Sequence, residues 1–365
     1  MSRIVFAPDS FKGTVSATDA AAALARGWCT VRPGDDVVQR PMADGGEGTL
    51  DAFAAAVPGA VRMPVTVRGP VSEPVESSWL LLPGPHRTGV VELASTSGIT
   101  LLDSLAPLDA HTAGFGEAIA AALDHGVQRL LLALGGSAST DGGAGALAAL
   151  GAGLLDAAGR PIRLGSRGLG ALAQVRLSTL RPLPRGGAVI LGDVTNPLLG
   201  PAGAAAVFGP QKGATPAVVG ALESNLARLA GLVPTVDPAT PGAGAAGGAG
   251  FGLLAWGAQM GGGARVVAEA IGLPEAMEGA ALVITGEGRF DGQSAAGKVP
   301  SEVARLARAA GVPVALAAGA IDADPEAAGF AASASLSVLA GSGAAAMSDA
   351  VQWLERAGAE LARAA

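Results

Sequence analysis

The sequence predicts an α/β fold in two domains, and three observations carry that prediction. First, short apolar runs end repeatedly in glycine-rich polar loops that open into helices. Ile4 to Ala7, Leu130 to Leu134 and Ala281 to Thr285 all do so. Ends of strands that face helix N-termini in this way are where anions and cofactors bind in open α/β sheets. Second, 365 residues exceed the common size of one domain, and 50% hydrophobic with 15% charged residues supplies a large core. Third, the pattern changes at Val61. Val61 to Val67, Glu76 to Leu82 and Val90 to Leu93 are strand-like runs with Pro/Gly turns and no helix between them. That is the pattern of an antiparallel or mixed sheet, and a domain switch.

The first strand, Ile4 to Ala7, leads into a loop containing Asp9, Ser10, Phe11, Lys12, Gly13 and Thr14. Ser16 then reads as an N-cap with Asp19 three residues on, a capping box opening the helix Ala17 to Arg26. No G-x-G-x-x-G follows the strand, which excludes the dinucleotide fingerprint and with it an NAD-dependent dehydrogenase. Asp9, Ser10 and Lys12 are candidates for substrate or phosphate contact; a plain polar turn is the alternative. Val37 to Arg40 is a second strand, and Thr49 to Ala56 a helix. Between them, Asp44 and Glu47 either stabilise a helix dipole or, through the glycines that follow Asp44, face a ligand.

Helical periodicity returns at Ala110 to Leu123, and Leu130 to Leu134 is a buried strand. The loop after it carries Gly135, Gly136, Ser137, Ser139, Thr140, Asp141, Gly142 and Gly143 before an Ala/Leu helix. Such a loop suits a phosphate nest, and equally a small-residue helix packed close to a sheet. Val189 to Leu191 is another strand, with Asp193 and Asn196 just beyond it, the usual place for a metal ligand or general base. Lys212 lies in the glycine-rich segment from Gly200 to Ala214, and Pro216 to Ala230 is an amphipathic helix. The run from Gly247 to Gly252 is read as close backbone packing or a hinge. Ala264 to Ile271 is helical, and Gly272 to Gly279 a return linker.

From Leu282 to Pro300 the chain reads as strand, charged glycine loop and helix. The strand stops at Gly286, and Glu287, Arg289, Asp291, Gln293, Ser294 and Lys298 fill the loop. Gly292, Gly297 and Lys298 fit the first seven positions of a P-loop, but Val299 stands where Ser or Thr would hold Mg²⁺. Glu287 and Asp291 would do the metal work instead. Val312 to Leu316 and Ser335 to Leu339 are expected strands, and Ser348 to Ala362 the terminal helix.

Composition narrows the function classes. A net charge of −7 with no basic block, few aromatics and no Tyr leaves nothing for nucleic acid. No run of 18 apolar residues and no signal-peptide pattern is present, and Cys29 is the only cysteine, so a cytoplasmic protein without a membrane partner is expected. His86, His111 and His125 lie away from the motifs and make no metal-ligand spacing, and no G-x-S-x-G elbow exists. There are three lysines, Lys12, Lys212 and Lys298, against twenty-one arginines, and each lysine sits beside glycine. A compact ammonium reaching a phosphate or carboxylate is not replaceable by Arg, so at least two of them are expected to line one site.

Six motifs in order, APDSFKGTVSA, PMADGGEGT, GGSASTDGGAG, DVTNPLLGPAGAAAVFGPQKGA, GAAGGAGFG and ITGEGRFDGQSAAGKVP, together resemble the bacterial type-1 glycerate kinases. The resemblance implies ATP-dependent, Mg²⁺-dependent phosphorylation of D-glycerate, usually to 2-phosphoglycerate. It also implies a discontinuous flavodoxin-like domain with a parallel sheet, residues 1–62 and 275–365, and a mixed α/β domain, 63–274, inserted into it, with the site in an interdomain cleft. On this reading Asp193 is the general base or a Mg²⁺ ligand, and Glu287 and Asp291 share the metal. Lys12 and Lys298 meet the substrate carboxylate and the transferring phosphate, and Ser10, Asp44 and Asn196 contact the substrate. Gly135, Gly136, Ser137, Asp141, Gly142 and Gly143 cradle the ATP phosphates with Lys212 nearby. Lys12, Lys298 and Asp291 are expected in one cleft, in a monomer or homodimer. The alternative is a non-catalytic nucleotide or sugar-acid sensor using the same loops.

Overall fold

In a computed structural model, which describes residues 1–292 and 298–365, strands and helices alternate at both ends of the chain and strands cluster between them. Gln293, Ser294 and Gly297 of the expected loop lie outside the described residues. The chain runs β1 (Arg3–Pro8), α1 (Ala17–Val31), β2 (Asp36–Gln39), α2 (Thr49–Ala56), β3 (Val61–Arg68), β4 (Pro74–Leu81) and β5 (Thr88–Glu92). It continues through α3 (Ala94–Ser97), α4 (Ala113–Asp124), β6 (Arg129–Ala133), α5 (Ala144–Ala149), β7 (Gly153–Leu155), α6 (Ser166–Leu169), β8 (Gln174–Arg176) and β9 (Ala188–Leu191). Then come α7 (Ala204–Phe208), α8 (Pro216–Leu232), α9 (Ala245–Trp256), β10 (Gln259–Gly261), α10 (Gly263–Ala270) and α11 (Leu273–Met277). The last elements are β11 (Leu282–Phe290), α12 (Val299–Ala309), β12 (Val314–Ile321), β13 (Ala332–Ser335), α13 (Leu336–Ala340), α14 (Gly343–Ser348) and α15 (Ala350–Ala364). The α/β class is as expected. The chain divides into two units, one of Met1–Asp44, Asp51–Pro58 and Gly262–Ala365, the other of Gly45–Leu50 and Gly59–Gly261.

The first unit holds a five-stranded sheet in the order β13-β12-β11-β1-β2, parallel throughout. Counting only its own strands, this is the 2-1-3-4-5 order of flavodoxin-like folds, with the reversal between β1 and β11. Ligands bind outside the carboxyl ends of strands at such a reversal. Burial on both faces explains why Ile4 to Ala7 and Leu282 to Thr285 read as unbroken apolar runs. Phe6 packs edge-on against Trp28 of α1 with ring centroids 6.2 Å apart, and Leu24, Leu354 and Leu361 complete that face of the core.

Helices α1 and α15 approach closely because each presents a glycine. A Cβ on Gly27 would lie 1.8 Å from the Glu355 carbonyl oxygen, and one on Gly358 would lie 2.2 Å from that of Leu24. Helix propensity favours Ala over Gly by about 1 kcal/mol, but forcing two packed backbones apart costs about 1–3 kcal/mol or more. Gly27→Ala is therefore expected to destabilise the protein by about 1–2 kcal/mol, read as a lower urea midpoint by circular dichroism.

Two expected strand boundaries change, and the expected linker Gly272 to Gly279 holds the short helix α11, which buries Leu273, Ala276 and Met277. β11 does not stop at Gly286 but runs on to Phe290, paired with β12 as far as Ile321. The glycines that resemble a loop signal are there for close approach. A Cβ on Gly286 would lie 2.2 Å from the Ala317 carbonyl, so only glycine lets the strand continue. Glu287 is consequently a strand residue. The expected strand Ser335 to Leu339 is the end of β13 followed by α13, which buries Leu336 and ends at Gly341 with φ +81°. A glycine in the left-handed region is a helix C-cap, and that signal outranks the short alternation of Ser and Leu.

The second unit holds a mixed six-stranded sheet, β10-β9-β6-β5-β4-β3. β5, β6, β9 and β10 pair in parallel, while β3-β4 and β4-β5 are antiparallel, as the run of strands without helices predicts. β7 and β8 form a small separate hairpin. Leu130, Leu132, Ile190, Phe115 and Ile119 fill the core between this sheet and its helices. The glycine run at α9 resolves to close packing: a Cβ on Gly247 would lie 2.0 Å from the Ser139 carbonyl, and one on Gly252 2.8 Å from that of Gly142. Ala246, Gly247 and Gly248 all have positive φ at the start of this helix.

Candidate active site

A pocket of about 430 Å³ opens in the first unit at the carboxyl ends of β1 and β11, where the strand order reverses. Its charged wall comes from three stretches far apart in sequence: Asp9, Ser10 and Lys12 after β1, Asp44 after β2, and Glu287 on β11 with Lys298 beyond it. The local reasons are legible. Asp9 N–H donates to the Gly286 carbonyl at 2.8 Å, which extends the β1–β11 pairing one residue and holds Asp9 at the rim of the sheet. Phe11 is 2% exposed and pairs with Val15 across a tight turn in which Gly13 has φ +81°. That turn lifts Lys12 to the surface, where its Nζ lies 3.3 Å from Asp44 Oδ2. Ser16 caps α1, accepting the Asp19 amide at 3.1 Å, as the capping box predicts.

Electrostatics set the acids apart. The Asp9 carboxyl is buried beside Asp44 and Glu287, and burial followed by the Asp44 charge pushes it up to about 7, against the pull of the Ser10 amide at 2.7 Å. The Asp44 carboxylate, ahead of the opposing effect of burial, raises Lys12 above the usual lysine value. Lys12 and Lys298 thus share one pocket, as the lysine count suggests, and Lys298 stands at the N-cap of α12. Asp291 follows the end of β11 and is not among the pocket's lining residues. No group of three or more His, Cys, Asp or Glu side chains that could hold a metal ion exists among the described residues. The donor set fits Mg²⁺ all the same, because that ion takes one or two carboxylates and draws its other ligands from water and substrate phosphates.

The remaining candidates belong to the second unit. Asp193 is exposed just beyond β9, and Asn196 donates from Nδ2 to the Ala202 carbonyl at 2.8 Å. The loop from Gly135 to Gly143 is built differently from an open phosphate nest. Its amides at Gly135, Ala138 and Gly142 donate to the carbonyls of Gly45, Ser97 and Gly247. Asp141 is fully buried and accepts from Thr112 N and Thr112 Oγ1 at 2.9 Å and from Gly143 N and Gly145 N at 3.1 Å. Asp141, Gly142 and Gly143 therefore join the starts of α4 and α5, the close-packing alternative that small residues allow. The pairing of Thr112 with Asp141 and the buried Glu92, which accepts from Leu50 N at 3.0 Å, carry no signal in the sequence. The pocket's apolar wall of Leu336, Ala346, Met347 and Ala350 is likewise almost silent in the sequence. Its one sequence cue is a lone Met in an Ala-rich helix.

Lys212 is buried, donating to Ser137 Oγ at 2.7 Å and the Ser139 carbonyl at 2.5 Å. Burial outweighs the pull of Asp141 and lowers its ammonium to about 7. A depressed lysine contributes stability that is fully present above its ordinary pKa and is lost as pH falls through 7, since the unfolded chain keeps the proton over that window. Wild type is expected to gain a few kcal/mol over Lys212→Met between pH 7 and pH 10. Paired urea titrations at the two pH values measure it, and equal gains in both proteins would show the ammonium is not strained.

The comparisons with known proteins agree across the chain. The profile of the glycerate kinase family matches residues 4–365. The chain belongs to the glycerate kinase family. It is 44% identical to the glycerate kinase of Bacillus subtilis (strain 168), covering 89% of this chain and 87% of that protein. It is 42% identical to the glycerate 2-kinase of Escherichia coli (strain K12), covering 88% and 86%. A crystal structure from Salmonella typhimurium LT2, provisionally named glycerate kinase 2, superposes with a TM-score of 0.86 at 39% identity, covering 100% of this chain and 98% of that one. Glycerate kinases are phosphotransferases acting on an alcohol, so this member is an enzyme and not a sensor. Among the described residues no helix is long and apolar enough to cross a membrane.

Proposed function

We propose that this glycerate kinase transfers the γ-phosphoryl group of ATP to the 2-hydroxyl of D-glycerate, giving 2-phosphoglycerate, with Mg²⁺ as the metal. The observation that carries the reading is the pocket at the β1/β11 reversal, where two of the chain's three lysines meet Asp9, Asp44 and Glu287. Phosphoryl transfer needs charge neutralisation and positioning more than a covalent nucleophile, and this wall offers both. Lys12 and Lys298 neutralise the transferring group and the substrate carboxylate. Ser10 and Asp44 line the same pocket and contact the acid, with Asn196 as a further contact. Asp193 takes the proton from the acceptor hydroxyl. Glu287 and Asp291 would hold Mg²⁺, which when bound neutralises charge between the phosphates.

The test is ADP release on mixing the protein with Mg·ATP and D-glycerate, followed by phosphorus NMR of the product. The expected result is turnover with the phosphorus signal of a secondary ester at position 2. A signal from the primary ester at position 3 would overturn the regiochemistry, and absence of ADP release would overturn the activity.

A further inference from the structure

The pocket has a second wall that the acids and lysines do not explain. Besides the charged groups it is lined by Leu336 at the start of α13, by Ala346 and Met347 of α14 and by Ala350 at the start of α15. Leu336, Ala346 and Ala350 are buried, but Met347 is 64% exposed. Among the described residues of the first unit, apart from Met1, the exposed large hydrophobic side chains are Val338, Met347 and Val351, all between Leu336 and Val351 in sequence. Isolated exposed apolar residues need no explanation, but of these three Met347 lines the pocket itself, where it adds exposed apolar surface to the buried Leu336, Ala346 and Ala350.

The two substrates of the reaction differ in what such a wall could offer them. D-glycerate is a three-carbon acid carrying a carboxylate and two hydroxyls, with no apolar face to bury. ATP carries a purine whose two faces are apolar and aromatic, joined to a chain of phosphates. A pocket of about 430 Å³ lies in the range of sites that enclose a whole organic ligand, well beyond the needs of a three-carbon acid. Its amphiphilic make-up matches the nucleotide end for end. A thioether on a flexible unbranched chain is also well suited to lie against a ring.

We propose that the wall of Leu336, Ala346, Met347 and Ala350 seats the purine of ATP, with the phosphates running toward Lys12 and Lys298. The inference rests on the reading that the chain is an ATP-dependent kinase. It places the nucleotide in the first unit, at the position where the strand order reverses, and not on the loop from Gly135 to Gly143. The internal bonds of that loop support this: Gly135, Ala138, Gly142 and Gly143 have their amides committed inside the second unit. A loop that cradles phosphates needs those amides directed at the ligand.

Two experiments on the full chain test it. Photolabelling with 2-azido-ATP, whose reactive group is on the purine, needs no glycerate and no turnover. The expected label falls in the peptide carrying Leu336 to Ala350. Label in the peptide carrying Gly135 to Gly143, or label that excess ATP does not displace, overturns the proposal. Gly343 lines the same pocket, and a Cβ there meets nothing within 4 Å, so Gly343→Phe fills the wall without a clash at the backbone. This variant is expected to raise the KM for ATP at least tenfold and to leave the KM for D-glycerate within twofold. The opposite split, with D-glycerate weakened and ATP unchanged, would assign the wall to the acid. If ATP labels the wall while D-glycerate gives no turnover, the purine site stands and the acceptor assignment fails.

Discussion

Replacing Asp193 by Asn is expected to lower turnover by roughly 10²–10⁴-fold while leaving the protein folded. The side chain is exposed just beyond a buried strand, so the isosteric amide fits without disturbing the core. Circular dichroism and the urea midpoint should therefore match wild type, and the loss should appear in kcat. A near-normal rate would remove Asp193 from the mechanism. Asp9→Asn is the informative partner, because Asp9 is the acid whose ionisation falls near neutrality. Below about pH 7 Asp9 is protonated, the pocket loses one negative charge, and Lys12 loses part of its electrostatic hold. In wild type, kcat/KM is expected to fall as pH drops through about 7 and to level off at a lower plateau, since Asp44 still holds Lys12. Asp9→Asn should remove that limb, whereas Asp193→Asn should keep it at a much lower rate. A limb that survives in Asp9→Asn would belong to another group.

What the sequence revealed and what it hid divide along physical lines. The α/β class was legible because strands buried on both faces leave unbroken apolar runs, as at Ile4 to Ala7 and Leu130 to Leu134. The mixed character of the second sheet was legible from three strands without a helix between them. The scarcity of lysine against an arginine-rich background led to the expectation of Lys12, Lys298 and Asp291 in one cleft; Lys12 and Lys298 line one pocket and Asp291 is not among its lining residues. Glycine was the ambiguous letter. The same residue that opens a phosphate loop also lets two backbones touch, and only coordinates separate the two uses. At Gly286 it extends a strand past Ala317, at Gly247 it admits the Ser139 carbonyl, and at Gly27 and Gly358 it joins two helices. The apolar wall was hidden for another reason. Leu336, Ala346, Met347 and Ala350 come from two short helices and the first residue of a third, and no periodicity within one element brings them together.

Asp141 gives the largest expected loss of stability. Its carboxylate accepts four hydrogen bonds, and every donor is buried: the amide and hydroxyl of Thr112, and the amides of Gly143 and Gly145. Thr112 Oγ1 in turn accepts the Ala146 amide at 2.9 Å, so the pair ties the first turn of α4 to that of α5. Asp141→Ala leaves these donors without an acceptor and leaves the ammonium of Lys212 without its neighbouring negative charge. Breaking a buried charged network from one side costs about 3–5 kcal/mol, a large share of the stability of an ordinary domain. Asp141→Asn should lose less, because its oxygen can keep the three bonds now made at Oδ2 while its amide nitrogen opposes only the Gly143 N–H. Urea titration of both variants should show the loss. Thr112→Val combined with Asp141→Ala should cost less than the two single losses together, since both remove the same bonds. The competing outcome is specific. A stable Asp141→Ala protein that no longer binds ATP would make the carboxylate a nucleotide contact and return the loop to the role its glycines suggest.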